Sequence, residues 1–229
     1  MIERIGVVVP VHNEEALLPA CLDAVRIAVS AVDLPTKVVV VLDGCTDGSA
    51  RVTAEHAGFE PVEIKARNVG LARAAGSNTV LRWAAGLRPD RVWLATTDAD
   101  SVVPRDWLRR QIELASTGWE AVVGTIRVED WSEHPAHVKP AWLASYRAIE
   151  HHPHVHGANF GCTAAAYLHA GGWMPVASDE DVALVAALRG RRVLRTATIP
   201  VLTSARRNPR ARGGFGDALL ELAGAEGVA

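Results

Sequence analysis

The sequence predicts an α/β fold, a mainly parallel sheet flanked by helices, on three observations. Short apolar runs alternate with helix-period segments through the first half of the chain. Those runs are apolar at successive positions, as strands are when helices cover both faces of a sheet. Each run stops at a cluster of polar residues, and in open α/β sheets the carboxyl ends of the strands form the ligand crevice.

The elements follow in order. Residues 7–9 form a first strand closed by Pro10, and 15–29 a helix with Leu17, Leu18, Leu22, Val25 and Val29 at helical spacing. A second strand, 38–42, ends at Asp43-Gly44, and a shorter third covers 62–64. A helix over 71–85 leads to a fourth strand, 92–95, ending at Thr96-Thr97-Asp98. Beyond it, 122–128 has strand character, and 129–157, rich in His, Pro and Trp, is expected to be partly irregular. The small-residue stretch 157–172 leads to Ser178-Asp179-Glu180-Asp181 and a helix over 182–188. A last strand, 193–198, and a short helix, 218–223, complete the chain. No internal repeat interrupts the pattern, so one domain over 1–229 is expected.

Composition narrows the partners. With 49% apolar and 22% charged residues the chain has ordinary globular make-up and can build one continuous core. A net charge of −2 offers no electrostatic reason to expect nucleic acid or an anionic membrane. Cys21, Cys45 and Cys162 form no CxxC pair, which argues against a zinc knuckle or a disulfide framework and for a reducing cytoplasm. The chain enters Ile5-Gly6-Val7 without the features of a signal peptide, and no apolar run nears the roughly 20 residues of a membrane span. A soluble protein without a transmembrane segment, cytoplasmic or peripheral to the membrane, is expected. Its oligomeric state is not legible.

The polar clusters carry the chemistry. His12, Asn13 and Glu14 follow the first strand, 43–49 the second, Arg67 and Asn68 the third, and 98–101 the fourth. Singly, each is also what a turn requires; four on one edge point to a site. Asp98-Ala99-Asp100 sets two carboxylates one residue apart, an all-oxygen pair suited to Mg²⁺ or Mn²⁺ bridging to a diphosphate, although such a triplet can also simply close a turn. Ser178 and the acids after it fit a capped helix start, and a carboxylate fixed there also suits a general base.

Together, Pro10-Val11-His12-Asn13-Glu14-Glu15, Asp43-Gly44-Cys45-Thr46-Asp47-Gly48-Ser49, Asn68 to Gly76, Thr97-Asp98-Ala99-Asp100 and Glu180-Asp181 resemble, in order and over about residues 5–190, the motifs of family 2 glycosyltransferases. The resemblance implies a GT-A fold with a Rossmann-like sheet, about 1–100 as the nucleotide-sugar half and about 101–229 as the acceptor half. It implies an inverting transfer with Mn²⁺ or Mg²⁺ from a nucleotide-diphosphate donor, a UDP-sugar favoured, to an acceptor that is a small molecule, a glycan or lipid-linked. By the same resemblance Pro10, Val11, His12 and Glu14 line the base and ribose, and Asp43 accepts from the base. Arg73 lies near base or diphosphate. Asp98 and Ala99 meet the nucleotide-sugar, Asp100 with Asp98 holds the metal, and Asp181 is the base. Trp173 and Glu180 are expected against the acceptor or sugar, Trp173 with even odds of being a core residue. Cys45 departs mildly from the family pattern and suits a small buried filler. The QxxRW-type signature of processive synthases is absent.

Two further clusters invite a role. His151-His152-Pro153-His154-Val155-His156 lacks the HExxH spacing of a zinc site and suits a solvated or acceptor-facing loop. Arg206, Arg207, Arg210 and Arg212, beside Gly213-Gly214, are either a solvated face or a lid over the diphosphate. A nucleotidyltransferase would carry a glycine-rich basic loop where Pro10 to Glu14 stand. An inactive nucleotide-sugar sensor need not retain Asp98, Asp100 and Asp181 together. A dinucleotide oxidoreductase would show GxGxxG.

Overall fold

The computed structural model describes residues 1–176, 178–208 and 213–224. Eight strands lie in one sheet, β1 Arg4–Val11, β2 Thr36–Asp43, β3 Glu60–Ile64, β4 Val92–Thr96, β5 Ser101–Val102, β6 Ala121–Arg127, β7 Phe160–Thr163 and β8 Val193–Thr203, in the order β3-β2-β1-β4-β7-β6-β8-β5. The helices are α1 Leu18–Ser30, α2 Ser49–Glu55, α3 Val69–Trp83, α4 Trp107–Ser116, α5 Val138–Ser145, α6 Ala164–His169, α7 Glu180–Ala187 and α8 Phe215–Gly224.

The first four strands run parallel, with Val11 opposite Leu42 and Asp43 opposite Ile64, so their carboxyl ends share one edge. The rest of the sheet is mixed: β7 is antiparallel to β4 and to β6, and β5 to β8, while β6 and β8 are parallel. Of the seven neighbour pairings among the described residues four are parallel, so the sheet is mainly parallel, with the antiparallel pairings confined to its second half.

Both faces are covered, which explains the unbroken apolar runs. Val7 and Val9 pack into one core with α1 and α4, whereas Val8, between them, packs into the other with α3 and α7. Gly76 lets α3 approach β1 closely, since a Cβ there would meet Val8 Cγ1 at 2.4 Å. A third, smaller core gathers Ile126, Val138, Trp142 and Leu219 where α5 and α8 meet the end of β6.

The sequence pattern differs from the structure where elements are short or edge-bound. α1 begins at Leu18 rather than Glu15, because Glu14 and Glu15 bind neighbouring loops. β8 runs through Pro200 to Thr203, and β7, inside the stretch of small residues, is a strand of only four residues. α5 forms within the segment expected to be partly irregular. Ser178 does not cap α7; Asp179 stands at the cap in a left-handed conformation, φ 61°, and makes no side-chain cap bond. All three cysteines are free. Among the described residues no helix is long and apolar enough to cross a membrane.

Candidate active site

Parallel pairing brings the four strand ends together, and side chains then lace the loops. Asn13, in a left-handed conformation, accepts the Thr46 N–H through Oδ1 at 2.7 Å. Asp47 accepts the Glu15 N–H at 2.9 Å, Glu15 accepts the Gly48 N–H at 3.0 Å, and the Glu14 N–H donates to Ser49 Oγ at 2.9 Å. Each loop thus supplies donors and acceptors to the other, satisfying backbone groups that no strand reaches. His12 bonds the Asp43 carbonyl through Nδ1 at 2.6 Å. Cys45 Sγ, partly exposed, donates to the Val11 carbonyl, so this residue is a loop brace rather than a buried filler.

Asp43, 3% exposed, accepts the backbone N–H groups of Ala66, Arg67 and Asn68, each at 2.7 Å. That carboxylate positions the turn after β3 and the N-cap of α3, where Asn68 Oδ1 accepts from Leu71 N–H.

The acidic triplet forms a tight turn, with the Ser101 N–H donating to the Asp98 carbonyl at 3.0 Å. The pairing of Ser101 with Thr203 across β5 and β8 brings the segment after β8 to this turn. Arg206 there makes a forked contact to Glu14 and lies 3.0 Å from Asp100. Burial, then the neighbouring Asp98, push the Asp100 carboxyl up to about 7, with Arg206 only partly offsetting them. Crowded negative charge of this kind fits a divalent cation. Among the described residues no group of three His, Cys, Asp or Glu side chains is arranged to hold a metal ion by itself. One or two carboxylates plus phosphate oxygens and water make a usual Mg²⁺ or Mn²⁺ set, and Asp100 and Asp98 fit that pattern.

Asp181 lies in the first turn of α7. Its Oδ2 accepts the Gly157 N–H at 2.6 Å and its Oδ1 the Val182 N–H at 2.8 Å. Burial raises its pKa, and Arg73 draws it back. The antiparallel return of β7 along β4 carries the segment before it to this edge, with Phe160 opposite Thr96.

These groups share one cleft of about 1150 Å³. Pro10, Val11, His12, Glu14, Asp43, Arg73, Asp98, Ala99, Asp100, Glu180, Asp181 and Arg206 all line it. Three expectations are corrected. Trp173 is 8% exposed and packs inside the second core, its indole N–H on Ser77 Oγ and its ring edge-to-face with Phe160, so it offers no open face to a sugar. Glu180, 5% exposed, is the ion-pair partner of Arg73. Arg207 is exposed and does not line the cleft, and its backbone N–H donates to Glu133. Arg210 and Arg212 lie outside the described residues.

One wall of the cleft is one the motifs did not reveal. Trp142, Tyr146 and His154 stack in sequence, with centroids 4.4 and 4.1 Å apart, beside Ile126, Phe215 and Leu222. The Tyr146 hydroxyl accepts from the Ile126 N–H and shares a second hydrogen bond with His156 Nε2 at 3.0 Å. Burial holds the His156 pKa down to about 3, so its ring is neutral. Of the histidine run, His152, His154 and His156 stack into this wall, with His154 and His156 lining the cleft, while His151 is exposed. Gly157 also escaped sequence reasoning; only a glycine at the edge of a small-residue stretch marked it.

Comparison with known proteins places this geometry in the GT-A class of glycosyltransferases. The fold matches S. aureus TarS 1-349 in complex with UDP-GlcNAc over 97% of this chain and 66% of that one, at 13% identity and a TM-score of 0.65. It also matches the mannosyltransferase PcManGT from Pyrobaculum calidifontis in complex with GDP-Man and Mn2+ over 93% and 59%, at 22% identity and a TM-score of 0.65. The family model described as glycosyl transferase family 2 matches residues 6–173, and the chain belongs to that family. It is 31% identical over 170 residues to the undecaprenyl-phosphate 4-deoxy-4-formamido-L-arabinose transferase of Aeromonas hydrophila, 72% of this chain and 49% of that one. It is 35% identical over 129 residues to the Pectobacterium atrosepticum protein of the same name, 55% of this chain and 37% of that one. The chain spans about half the length of the Aeromonas relative.

Proposed function

We propose that this glycosyltransferase moves a sugar from a nucleoside-diphosphate donor, UDP-sugars first among them, to a lipid phosphate, with inversion and with Mn²⁺ or Mg²⁺. The observation that carries the proposal is one cleft whose lining combines the acidic strand ends, Asp181 and an aromatic, apolar wall. The relatives' names support a polyprenyl-phosphate acceptor, and the nucleotide-sugars bound to the structural neighbours support the donor class. At a membrane the chain would act as a peripheral protein.

In this proposal Pro10, Val11 and His12 flank the base, and Asp43, whose Oδ2 takes a single N–H, keeps a lone pair for a base N–H. A cation held by Asp100 and Asp98 would neutralise charge on the departing diphosphate. Arg206, already forked onto Glu14, adds positive charge on the same side. The acceptor oxygen attacks C1 opposite the leaving group; its bond to C1 forms as the C1–O bond to the diphosphate breaks, and the diphosphate leaves with the electron pair. Any proton on the acceptor oxygen passes to Asp181. The apolar wall of Trp142, Phe215 and Leu222 would take the start of the lipid chain.

The test is a thermal-shift panel of UDP-, GDP- and dTDP-sugars with and without Mn²⁺, followed by transfer assays on a polyprenyl phosphate and on the matching polyprenol. Stabilisation by a donor only with metal, and transfer only to the phosphate, are expected. No stabilisation by any donor, or transfer to the alcohol alone, would refute the proposal.

A further inference from the structure

Arg73, in the second turn of α3, is 3% exposed and touches groups from both halves of the chain. Its Nη2 donates to Asp98 Oδ1 at 2.5 Å, and its Nη1 donates to Glu180, which directly precedes Asp181. The guanidinium lies over the Trp173 ring, 5.3 Å from the centroid. Its other side rests on Gly157, where a Cβ would come within 2.3 Å of Nη2. The Gly157 N–H is in turn the donor to Asp181 Oδ2.

We propose that Arg73 is a positioning residue that sets the distance and orientation between the donor-side carboxylate Asp98 and the acceptor-side base Asp181. This rests on the transfer reaction proposed above. Two carboxylates already neutralise its charge, which leaves no net positive charge for a diphosphate; direct nucleotide binding, which the family resemblance implied, is the weaker use of it. The planar fork is what the position requires, since two nitrogens at a fixed angle join two acids that separate elements hold in place. A lysine carries the charge but cannot span both. Gly157 is the matching half of the device, because any side chain there displaces the guanidinium and shifts the amide that aims Asp181. Trp173, buried beneath the arginine, serves as its floor.

The test compares Arg73→Lys, Arg73→Met and Gly157→Ala with the wild-type chain, reading kcat, KM and calorimetric donor affinity, with circular dichroism and thermal unfolding to verify folding. Positioning predicts that kcat falls about 10- to 100-fold in Arg73→Lys and in Gly157→Ala, while donor affinity stays within about threefold. An equal loss of donor affinity and kcat/KM would make Arg73 a donor ligand, and unchanged kcat in Arg73→Lys would make it a mere charge; either overturns the inference. Hydrogen exchange at the Gly157 amide, read by NMR, needs no turnover. It should quicken at least about tenfold in Arg73→Lys with the β1 amides unchanged, and unaltered Gly157 exchange would also overturn the inference. Failure of the wild-type chain to transfer sugar would count against the proposed function alone.

Discussion

Asp100 and Asp181 are both carboxyls with raised pKa, yet their surroundings fit opposite tasks. Asp100 is crowded by Asp98 and Glu14 and faces Arg206, so its negative charge is best relieved by another cation. Asp181 accepts two backbone N–H bonds and lies beside no second acid in hydrogen-bond contact, so its charged form is held in place for a proton. Asp100→Ala is expected to weaken Mn²⁺-dependent donor binding at least tenfold in calorimetry and to leave metal-independent binding unchanged. For Asp181→Asn the acceptor decides the outcome. A phosphate monoester loses its second proton near pH 6 and needs little help at pH 8, whereas an alcohol always needs a base. With a lipid phosphate, the loss in kcat should be no more than about tenfold at pH 8 and should deepen below pH 6. A uniform loss of about 10²- to 10⁴-fold across that range would point to an alcohol acceptor instead. Donor affinity should be preserved in either case.

At the scale of elements, much of the motif set proves to be architecture. Asn13, Glu15 and Asp47 bind backbone amides of the neighbouring loop, and Asp43 holds the turn before α3. These loops have no ladder partners, so charged and amide side chains hold them at the sheet edge. Removing the exposed Asp47 carboxylate, which accepts from the Glu15 and Ser49 N–H groups, should cost about 1 kcal/mol. Urea denaturation of Asp47→Ala at pH 7 measures this. A change below about 0.3 kcal/mol would mean that the two loops hold their shape without the brace.

Across the whole molecule, two half-buried groups tie stability to pH with opposite signs. His156 has a folded pKa of about 3 against the ordinary 6.5, so its contribution is complete above about 6.5 and is lost as pH falls toward 3. Asp100 is raised to about 7 from 3.8, so its contribution is complete below about 3.8 and is lost as pH rises toward 7. The two slopes largely cancel between pH 4 and 6.5. Replacing His156 by Gln, which can still hydrogen-bond Tyr146, should therefore unmask the Asp100 slope. Relative to wild type, the variant is expected to gain about 1.4 kcal/mol for each unit the pH falls below 6.5, measured by urea unfolding at pH 7.5, 6 and 5. A pH-independent difference between the two proteins would refute this assignment.

What could be read from the chain alone, and what could not, divides along a physical line. The apolar runs of β1, β2 and β4 are legible because both faces of each strand are buried, and burial writes itself into every position. The strand-end acids are legible because parallel strands must deliver their carboxyl ends to one edge. β7, α5 and the aromatic wall were not legible, since a four-residue strand and a helix packed against distant residues carry no period of their own. The partners of Arg73, the seat that Gly157 makes for it, and the meeting of Arg206 with Asp100 depend on contacts 25 to 107 residues apart in sequence. By itself, then, the sequence determined the α/β class, the acidic edge and the motif order of the family. Only the tertiary structure decided that Trp173 is core and that Glu180 is an ion-pair partner, because burial and partnership are properties of neighbours that local sequence does not encode.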